Sequence, residues 1–150
     1  MRSIKAKYNK KYLISDEYKI NLRPLFYLDA FKNITHLTQS YDILFLGTAH
    51  SDRYKISSLV KAWAKENSLV CFCFYYMHGK FVYLYKKLFD KTFKQFEYNQ
   101  LSFKSLNIYQ ITDLYQRSKV ILDINHPHQK GLTMRTFEAL GAKKKLITTN

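Results

Sequence analysis

Runs of apolar residues, separated by polar stretches, divide most of this chain into alternating strands and helices. The first run is Tyr41 to Gly47, whose unbroken apolar character is typical of a strand buried on both faces of a parallel sheet. Further strands are predicted at Leu69 to Tyr75, Leu101 to Lys104, Lys119 to Ile124 and Leu146 to Thr149.

The segments between the strands repeat their apolar residues every three or four positions, which is the period of an amphipathic helix. The first predicted helix is capped by Ser51 or Asp52 and ends near Glu66, and the third runs from Ile108 to Arg117. The last is the short helix Met134 to Ala142. The apolar positions of the first and third helices are Ile56, Leu59, Val60, Trp63, Ile108, Ile111, Leu114 and Tyr115.

The second predicted helix extends from about Phe81 to Phe96, after an opening at His78-Gly79. One face is apolar and is predicted to pack inward, whereas lysines line the opposite side. The apolar positions are Phe81, Leu84, Tyr85, Leu88 and Phe96, and the lysines are Lys80, Lys87, Lys91 and Lys94. A solvated lysine face on a core helix explains this pattern, and a lysine face resting on anionic lipid is the alternative.

Strands that alternate with helices indicate an α/β fold, which we predict to be a Rossmann-like parallel sheet of about five strands in the order 3-2-1-4-5 with flanking helices. We assign residues 41–150 to this domain, and residues 1–40 to a basic N-terminal segment and connector with a short extended stretch from Arg23 to Leu28. The chain ends in or just after the fifth strand, so we expect a domain that is incomplete at its C-terminus.

Composition narrows the class of protein further. The 25 basic and 11 acidic residues give a net charge of +14, which predicts contact with nucleic acid, a membrane surface or a phosphorylated substrate. Hydrophobic residues make up 47% of the chain, which argues against disorder, and the longest apolar run, Leu69 to Met77, is too short to span a bilayer. The two cysteines, Cys71 and Cys73, share a strand face and are expected to be buried thiols in a reducing cytoplasm.

Several familiar chemical motifs do not occur in this sequence. There is no Gly-x-Gly-x-x-Gly after the first strand, no Walker phosphate loop, no Gly-x-Ser-x-Gly and no His-Glu-x-x-His. His126 and His128 flank Pro127 and could ligate a metal, but no cysteine or acidic residue beside them offers a third ligand. We therefore predict a surface loop there, and no metal site.

Two strand ends offer candidate phosphate sites, because loops that lead into helices at the carboxyl edge of an α/β sheet bind anions. At the first, Gly47 lets a ligand approach the backbone and Arg53 could pair with phosphate, although an ordinary capped turn explains the same residues. At the second, Asp123 and Asn125 lead into a loop where Gly131 and the amides after it could hold a diphosphate. The alternative is a polar loop without a ligand.

The short helix after this loop carries Arg135 and Glu138, which lie three residues apart and therefore share a face. A local salt bridge would account for this spacing. The functional alternative is that Glu138 binds two sugar hydroxyls while Arg135 contacts a phosphate.

Two stretches resemble the nucleotide-sugar site of GT-B glycosyltransferases, above all those that build lipopolysaccharide, capsule or spore-coat glycans. They are the strand Lys119 to Ile124 and the segment Gly131-Leu132-Thr133-Met134-Arg135-Thr136-Phe137-Glu138-Ala139-Leu140-Gly141-Ala142. Tyr41 to Gly47 with Ser51-Asp52-Arg53 resembles the opening strand and helix of the donor-binding C-terminal domain, and Arg23 to Tyr27 resembles the segment leading into it. The resemblance covers about residues 20–150, and its specific part is the short helix that contains Arg135 and Glu138.

This resemblance implies roles for individual residues. A carboxylate at the position of Glu138 holds the ribose hydroxyls of a nucleoside-diphosphate sugar in that family, and the loop and helix amides at Gly131 to Thr133 hold phosphate. Gly47 lies where the first loop approaches the diphosphate, and Arg135 corresponds to a phosphate partner. With the strand-end candidates added, the predicted donor-binding residues are Gly47, Arg53, Asn125, Gly131, Leu132, Thr133, Arg135 and Glu138, and no catalytic residue is assigned.

The sequence also departs from the family pattern. Many retaining members carry a glutamate eight residues before the ribose-binding one, where this chain has Lys130, so neither a retaining nor an inverting outcome is implied. The acceptor-binding N-terminal domain and the closing helices of the C-terminal domain have no counterpart in this sequence. We therefore expect a fragment, or a module that works with a partner chain.

The resemblance further implies the partners and the location. They are a nucleotide-sugar donor, used as substrate with no separate cofactor, and a glycan or lipid-linked acceptor in surface polysaccharide synthesis. The protein would be cytoplasmic. A peripheral contact to the anionic inner face of the cell membrane is suggested by the lysine side of the second predicted helix, and it would suit a lipid-linked acceptor. Two alternatives stay open: a basic nucleic-acid-binding α/β module, favoured by charge and by 13 Tyr and 11 Phe but lacking a recognition motif, and an inactive remnant of a split glycosyltransferase gene.

Overall fold

A computed structural model of the protein describes residues 26–32, 34–35, 38–50, 52–127 and 131–149. Several sequence predictions lie outside these residues. They concern the basic N-terminal segment to residue 25, the Ser51 cap, and His128 and Lys130 in the loop before the last helix.

The five strands are β1 (Tyr41–Thr48), β2 (Cys71–Tyr76), β3 (Leu101–Ser102), β4 (Ser118–Asp123) and β5 (Lys145–Thr148). All neighbours pair in parallel, and the order across the sheet is β3-β2-β1-β4-β5. The predicted α/β class, Rossmann-like arrangement and strand order are thereby confirmed. The order reverses between β1 and β4, and such a switch point is where open α/β sheets bind ligands.

In the described part of the chain, five helices accompany the sheet: α1 (Asp29–Lys32), α2 (Arg53–Glu66), α3 (Lys80–Phe89), α4 (Ile108–Gln116) and α5 (Met134–Gly141). Short 3-10 turns follow α3 at Lys91–Phe93 and precede β3 at Tyr98–Gln100. None of the helices in the described part of the chain is long and apolar enough to cross a bilayer.

The position of β1 in the centre of the sheet explains why its sequence is apolar without interruption. Ile43 and Phe45 belong to a core on one face of the sheet, which α2 and α3 accompany, whereas Leu44 and Leu46 belong to a second core with α1, α4 and α5. Both faces of β1 are therefore buried, as the continuous run predicted. The free thiols of Cys71 and Cys73 are half-buried at the edge of the first core.

Helix α4 follows its sequence pattern closely. Asn107 caps it: Asn107 Oδ1 accepts the backbone N–H of Gln110, and Gln110 Oε1 accepts the backbone N–H of Asn107. The inward positions predicted for this helix contribute to the second core. Tyr115 is fully buried and packs edge-on against Phe31 of α1, with ring centroids 5.2 Å apart.

Helix α2 packs on the sheet with fewer of its apolar residues than the sequence pattern predicted. Ile56 and Val60 pack against the first core, but Leu59 and Trp63 are exposed, so the prediction is wrong for half of this stripe. Asp52 occupies the N-cap position without a side-chain cap hydrogen bond.

Helix α3 differs most from the prediction. It ends at Phe89 rather than near Phe96. The inward prediction is wrong for Phe81, Leu84, Tyr85 and Leu88, which are exposed, and right for Phe96, which lies beyond the helix. The space above β2 and β3 is filled instead by Phe93 and Phe96, which stack at 4.8 Å and are fully buried. Tyr83 on the opposite side of α3 contacts Phe93, with ring centroids 5.8 Å apart.

Replacing Phe93 and Phe81 separately by alanine tests this inverted arrangement. Phe93 is 0% exposed and Phe81 is 91% exposed. We expect Phe93→Ala to lower the free energy of unfolding by about 3–5 kcal/mol, because the cavity left by a buried phenylalanine is costly. Phe81→Ala should change it by less than about 0.5 kcal/mol, as is usual for exposed side chains. Urea unfolding followed by circular dichroism measures both, and equal losses would contradict the structure.

Candidate functional site

The end of β4 is joined to the start of α5 by one buried carboxylate, Asp123. Its Oδ2 accepts hydrogen bonds from the hydroxyls of Thr133 at 2.6 Å and Thr136 at 2.8 Å. Thr133 also caps α5, since its hydroxyl oxygen accepts the amide N–H of Thr136. This joint fixes how α5 leaves the sheet, and with it the positions of Arg135 and Glu138.

Arg53 holds the ends of β1 and β4 together across the switch point. Its Nε donates to the carbonyl of Ile124 at 3.0 Å, and Nη1 donates to the hydroxyl of Thr48 at 2.6 Å and to the Thr48 carbonyl at 3.3 Å. Burial lowers the pKa of Arg53, while the nearby carboxylate of Asp123 acts in the opposite direction. The contacts give Arg53 a positioning role, and its predicted phosphate contact stays a prediction.

Glu138 is held from two sides at a single oxygen. Arg135 Nη1 forms a salt bridge with Oε2, and the Tyr115 hydroxyl lies 3.5 Å from the same atom. The local salt bridge named as one alternative is therefore present. Within the described residues, the hydrogen bonds to this carboxylate all fall on Oε2, so Oε1 keeps its capacity to accept hydrogen bonds.

Partial burial and mutual contact shift the pKa values of Glu138 and Arg135, which lie beside Tyr115. Burial raises the pKa of Glu138, and the Arg135 guanidinium beside it acts in the opposite direction. Burial alone would lower the pKa of Arg135, but Tyr115 and Glu138 outweigh this effect and raise it. Arg135 therefore remains a cation whose charge is balanced by Glu138.

An open cleft of about 170 Å³ lies at the carboxyl ends of β1 and β2, on the face covered by α4 and α5. The lining residues are Leu46, Gly47, Thr48, Phe74, Tyr76, Ser105, Leu106, Ile111 and Arg135. Two predicted site residues, Gly47 and Arg135, thus meet at one cleft. Its volume is below the roughly 300 Å³ at which small-molecule pockets begin, so it would hold one part of a larger ligand.

Each of the two predicted site glycines has a structural reason to be glycine. A Cβ at Gly47 would come within 2.7 Å of the Phe45 ring, so the packing of that ring requires a bare backbone. Gly131 has a φ of +116°, which other residues rarely adopt. Gly131 and Leu132 lie exposed before α5, whereas the Thr133 hydroxyl is already used by Asp123.

Asn125 is held on the other side of the switch point, at the end of β5. Its backbone N–H donates to the Thr149 hydroxyl at 3.2 Å, and that hydroxyl donates to Asn125 Oδ1 at 2.6 Å. The pair fixes the beginning of the loop after β4, which is a positioning contact like that of Arg53.

Histidines follow three neighbouring strands at this edge of the sheet. The rings of His50 and His126 lie 5.1 Å apart after β1 and β4, and His78 after β2 lies 5.0 Å from the Tyr76 ring. Desolvation, with Arg53 and His126 nearby, lowers the pKa of His50 to about 4, so this ring is neutral at neutral pH. Among the described residues, no group of three His, Cys, Asp or Glu side chains could hold a metal ion.

The structure adds site residues that sequence reasoning missed. Thr48 and Tyr76 pair across the sheet as the last residues of their strands, a position that marks the ligand edge and could have pointed to them. Tyr115 carried no such signal, because its position on α4 predicted only a core side chain. Its contact with Glu138 arises from the packing of α4 beside α5.

Comparisons with known proteins find no family model, curated protein or solved structure that matches this chain.

Replacing Asp123 tests the joint between β4 and α5. We expect Asp123→Ala to lower the free energy of unfolding by about 2–3 kcal/mol, because the buried hydroxyls of Thr133 and Thr136 lose their shared acceptor. The control is Asp113→Ala, which removes an exposed salt bridge to Arg117 and should cost less than about 1 kcal/mol. If urea unfolding showed similar losses of unfolding free energy for the two variants, the hydrogen bonds of Asp123 would contribute no more to stability than an exposed salt bridge does.

The depressed pKa of His50 predicts a pH-dependent stability. Its folded value of about 4 lies below the ordinary 6.5, so this contribution to stability is complete above pH 6.5 and is lost as the pH falls toward 4. His50→Asn should therefore flatten the decline of the melting temperature between about pH 6.5 and pH 4.5. Parallel melting profiles for variant and wild type would contradict the assignment.

Proposed function

We propose that this chain binds the nucleoside-diphosphate part of a nucleotide sugar, as the donor-binding domain of a GT-B glycosyltransferase. In this role it would serve transfer to a glycan or lipid-linked acceptor in surface polysaccharide synthesis. The observation that carries the proposal is Glu138, a largely buried carboxylate with one oxygen fixed by Arg135 and Tyr115 and the other able to accept hydrogen bonds.

This arrangement suits a pair of ribose hydroxyls. Both hydroxyls can donate to a carboxylate, and an acceptor that is already oriented loses little entropy when the ligand binds. The salt bridge of Glu138 to Arg135 and the proposed hydrogen bonds from ribose hydroxyls therefore do not compete for the same oxygen. Arg135 keeps Glu138 ionised and oriented, and the ligand would use Oε1.

The diphosphate would lie toward the start of α5. Helix N-termini attract anions through their exposed amides, and the Arg135 guanidinium, which lines the cleft, could donate to a phosphate while it remains paired with Glu138. In a transfer reaction such groups stabilise the charge that develops on the leaving diphosphate, and one contact of this kind contributes on the order of 3 kcal/mol. His50 would become easier to protonate beside the bound anion, because opposite charge raises the pKa of a histidine.

The nucleic-acid alternative receives less support from the side chains. Tyr54, Tyr75, Phe93 and Phe96 pack on one another in the first core rather than forming a surface on which bases could stack. The exposed aromatic residues of α3 lie on a helix away from the cleft lining.

Calorimetric titration with UDP, GDP and CMP, each with its 2′-deoxy analogue, tests the proposal. We expect wild-type protein to bind at least one ribonucleotide and to bind its deoxy analogue about tenfold more weakly, because Glu138 loses a hydroxyl partner. Glu138→Gln should weaken ribonucleotide binding about tenfold and should largely remove the preference for ribose.

The matched control is Asp113→Asn, which alters an exposed carboxylate on α4 and should leave affinity unchanged. Melting temperatures of all variants separate lost binding from lost folding. Absence of binding to every nucleotide, or an unchanged ribose preference in Glu138→Gln, would refute the proposed donor site.

A further inference from the structure

Helix α3 presents its apolar face to solvent and its polar face to the domain. The outward positions are Phe81, Val82, Leu84, Tyr85, Leu88 and Phe89, all of them exposed, and no residue of the helix is fully buried. The inward positions hold Tyr83, which packs on Phe93, and Lys87, whose Nζ donates at 2.7 Å to the carbonyls of Lys94 and Phe96. Such an inverted helix leaves its hydrophobic stripe for something outside the described domain.

Lysines border this stripe. At 100° per residue, Lys80 flanks it on one edge and Lys86 on the other, and exposed Lys91 and Lys94 follow the helix. Lys87, next to Lys80, is the lysine held inward and is not one of the bordering lysines. Lys86 Nζ lies 5.6 Å from the centre of the Phe93 ring, which places its charge at the border between helix and domain. Asp90 is the one acidic residue from residue 80 to residue 94.

An apolar, aromatic-rich stripe with lysines along its edges has the chemistry of a helix that lies in the plane of an anionic lipid surface. We propose that α3 docks this domain on such a surface. Phe81, Leu88 and Phe89 enter the boundary between headgroups and acyl chains, while the bordering lysines contact anionic headgroups. This proposal rests on α3 alone and is independent of the proposed donor site.

The lysines around the stripe favour an anionic lipid surface over two other partners, namely the first 25 residues of this chain and a second copy of it. The first 25 residues are themselves basic, so their lysines would repel those around the stripe. Two copies of this face would likewise bring the same lysines together. An anionic surface, by contrast, lowers the energy of every bordering lysine while it covers the apolar side chains.

Co-sedimentation of the full chain with vesicles tests the proposal. We expect binding to vesicles of equimolar phosphatidylcholine and phosphatidylglycerol, and about tenfold weaker binding to pure phosphatidylcholine. Phe81→Ser combined with Phe89→Ser should weaken binding to the anionic vesicles about tenfold, because it removes the two most exposed rings of the stripe.

The matched control is Tyr109→Ser, which removes a ring that is 81% exposed on α4 and should leave vesicle binding within about twofold of wild type. A Phe81→Trp variant in a Trp63→Phe background gives a second readout, since its emission should shift to shorter wavelength when the stripe enters lipid. Wild-type binding by the double serine variant, or no emission shift, would overturn the proposal. A dimer in solution that the double variant converts to monomer, without vesicle binding, would assign the stripe to a second copy and also overturn it.

Discussion

The hydrogen bonds that Asp123 accepts from Thr133 and Thr136 join the central part of the sheet to α5, and the candidate site depends on that joint. A buried carboxylate must be satisfied by donors, so either threonine that turned away would remove one of the two hydrogen bonds that Asp123 Oδ2 accepts. Arg53 completes the joint from the other side, because it binds backbone at the ends of β1 and β4. The strand ends and the helix start therefore form one rigid frame.

On this frame, the salt bridge between Glu138 and Arg135 leaves the second carboxylate oxygen of Glu138 able to accept further hydrogen bonds. The pair uses Oε2, and Tyr115 approaches the same oxygen from α4, so side chains of two helices fix one carboxylate. A carboxylate on a helix surface would rotate freely and lose more entropy on binding a ligand. Because the Glu138 side chain is already ordered, the local ion pair is compatible with the proposed binding site.

The inversion of α3 shows a competition between aromatic residues for the same space. Phe93 and Phe96 pack with Tyr54, Tyr75 and Tyr83 above one edge of the sheet. Once these rings fill the layer, α3 can contact it only through Tyr83 and the lysines beside it. The apolar stripe then faces solvent. Contact with another apolar surface would remove it from water and would therefore be favourable.

The sequence by itself determined the class of fold, the strand order and the inward face of α4, because periodicity and the direction of crossover connections depend on local pattern and chain chirality. It also indicated that residues at the ends of β1 and β4, and on α5, are the ones to examine. It did not determine which face of α3 is buried. An apolar stripe shows that a helix has a face suited to burial, but it does not show whether other residues, here Phe93 and Phe96, fill the core in its place. Nor did it indicate that Arg53 would bind the strand ends, that Tyr115 would meet Glu138 or that His50 would lie beside His126. Those contacts join residues far apart in the chain, and only the packing of the helices on the two faces of the sheet brings them within reach of one another.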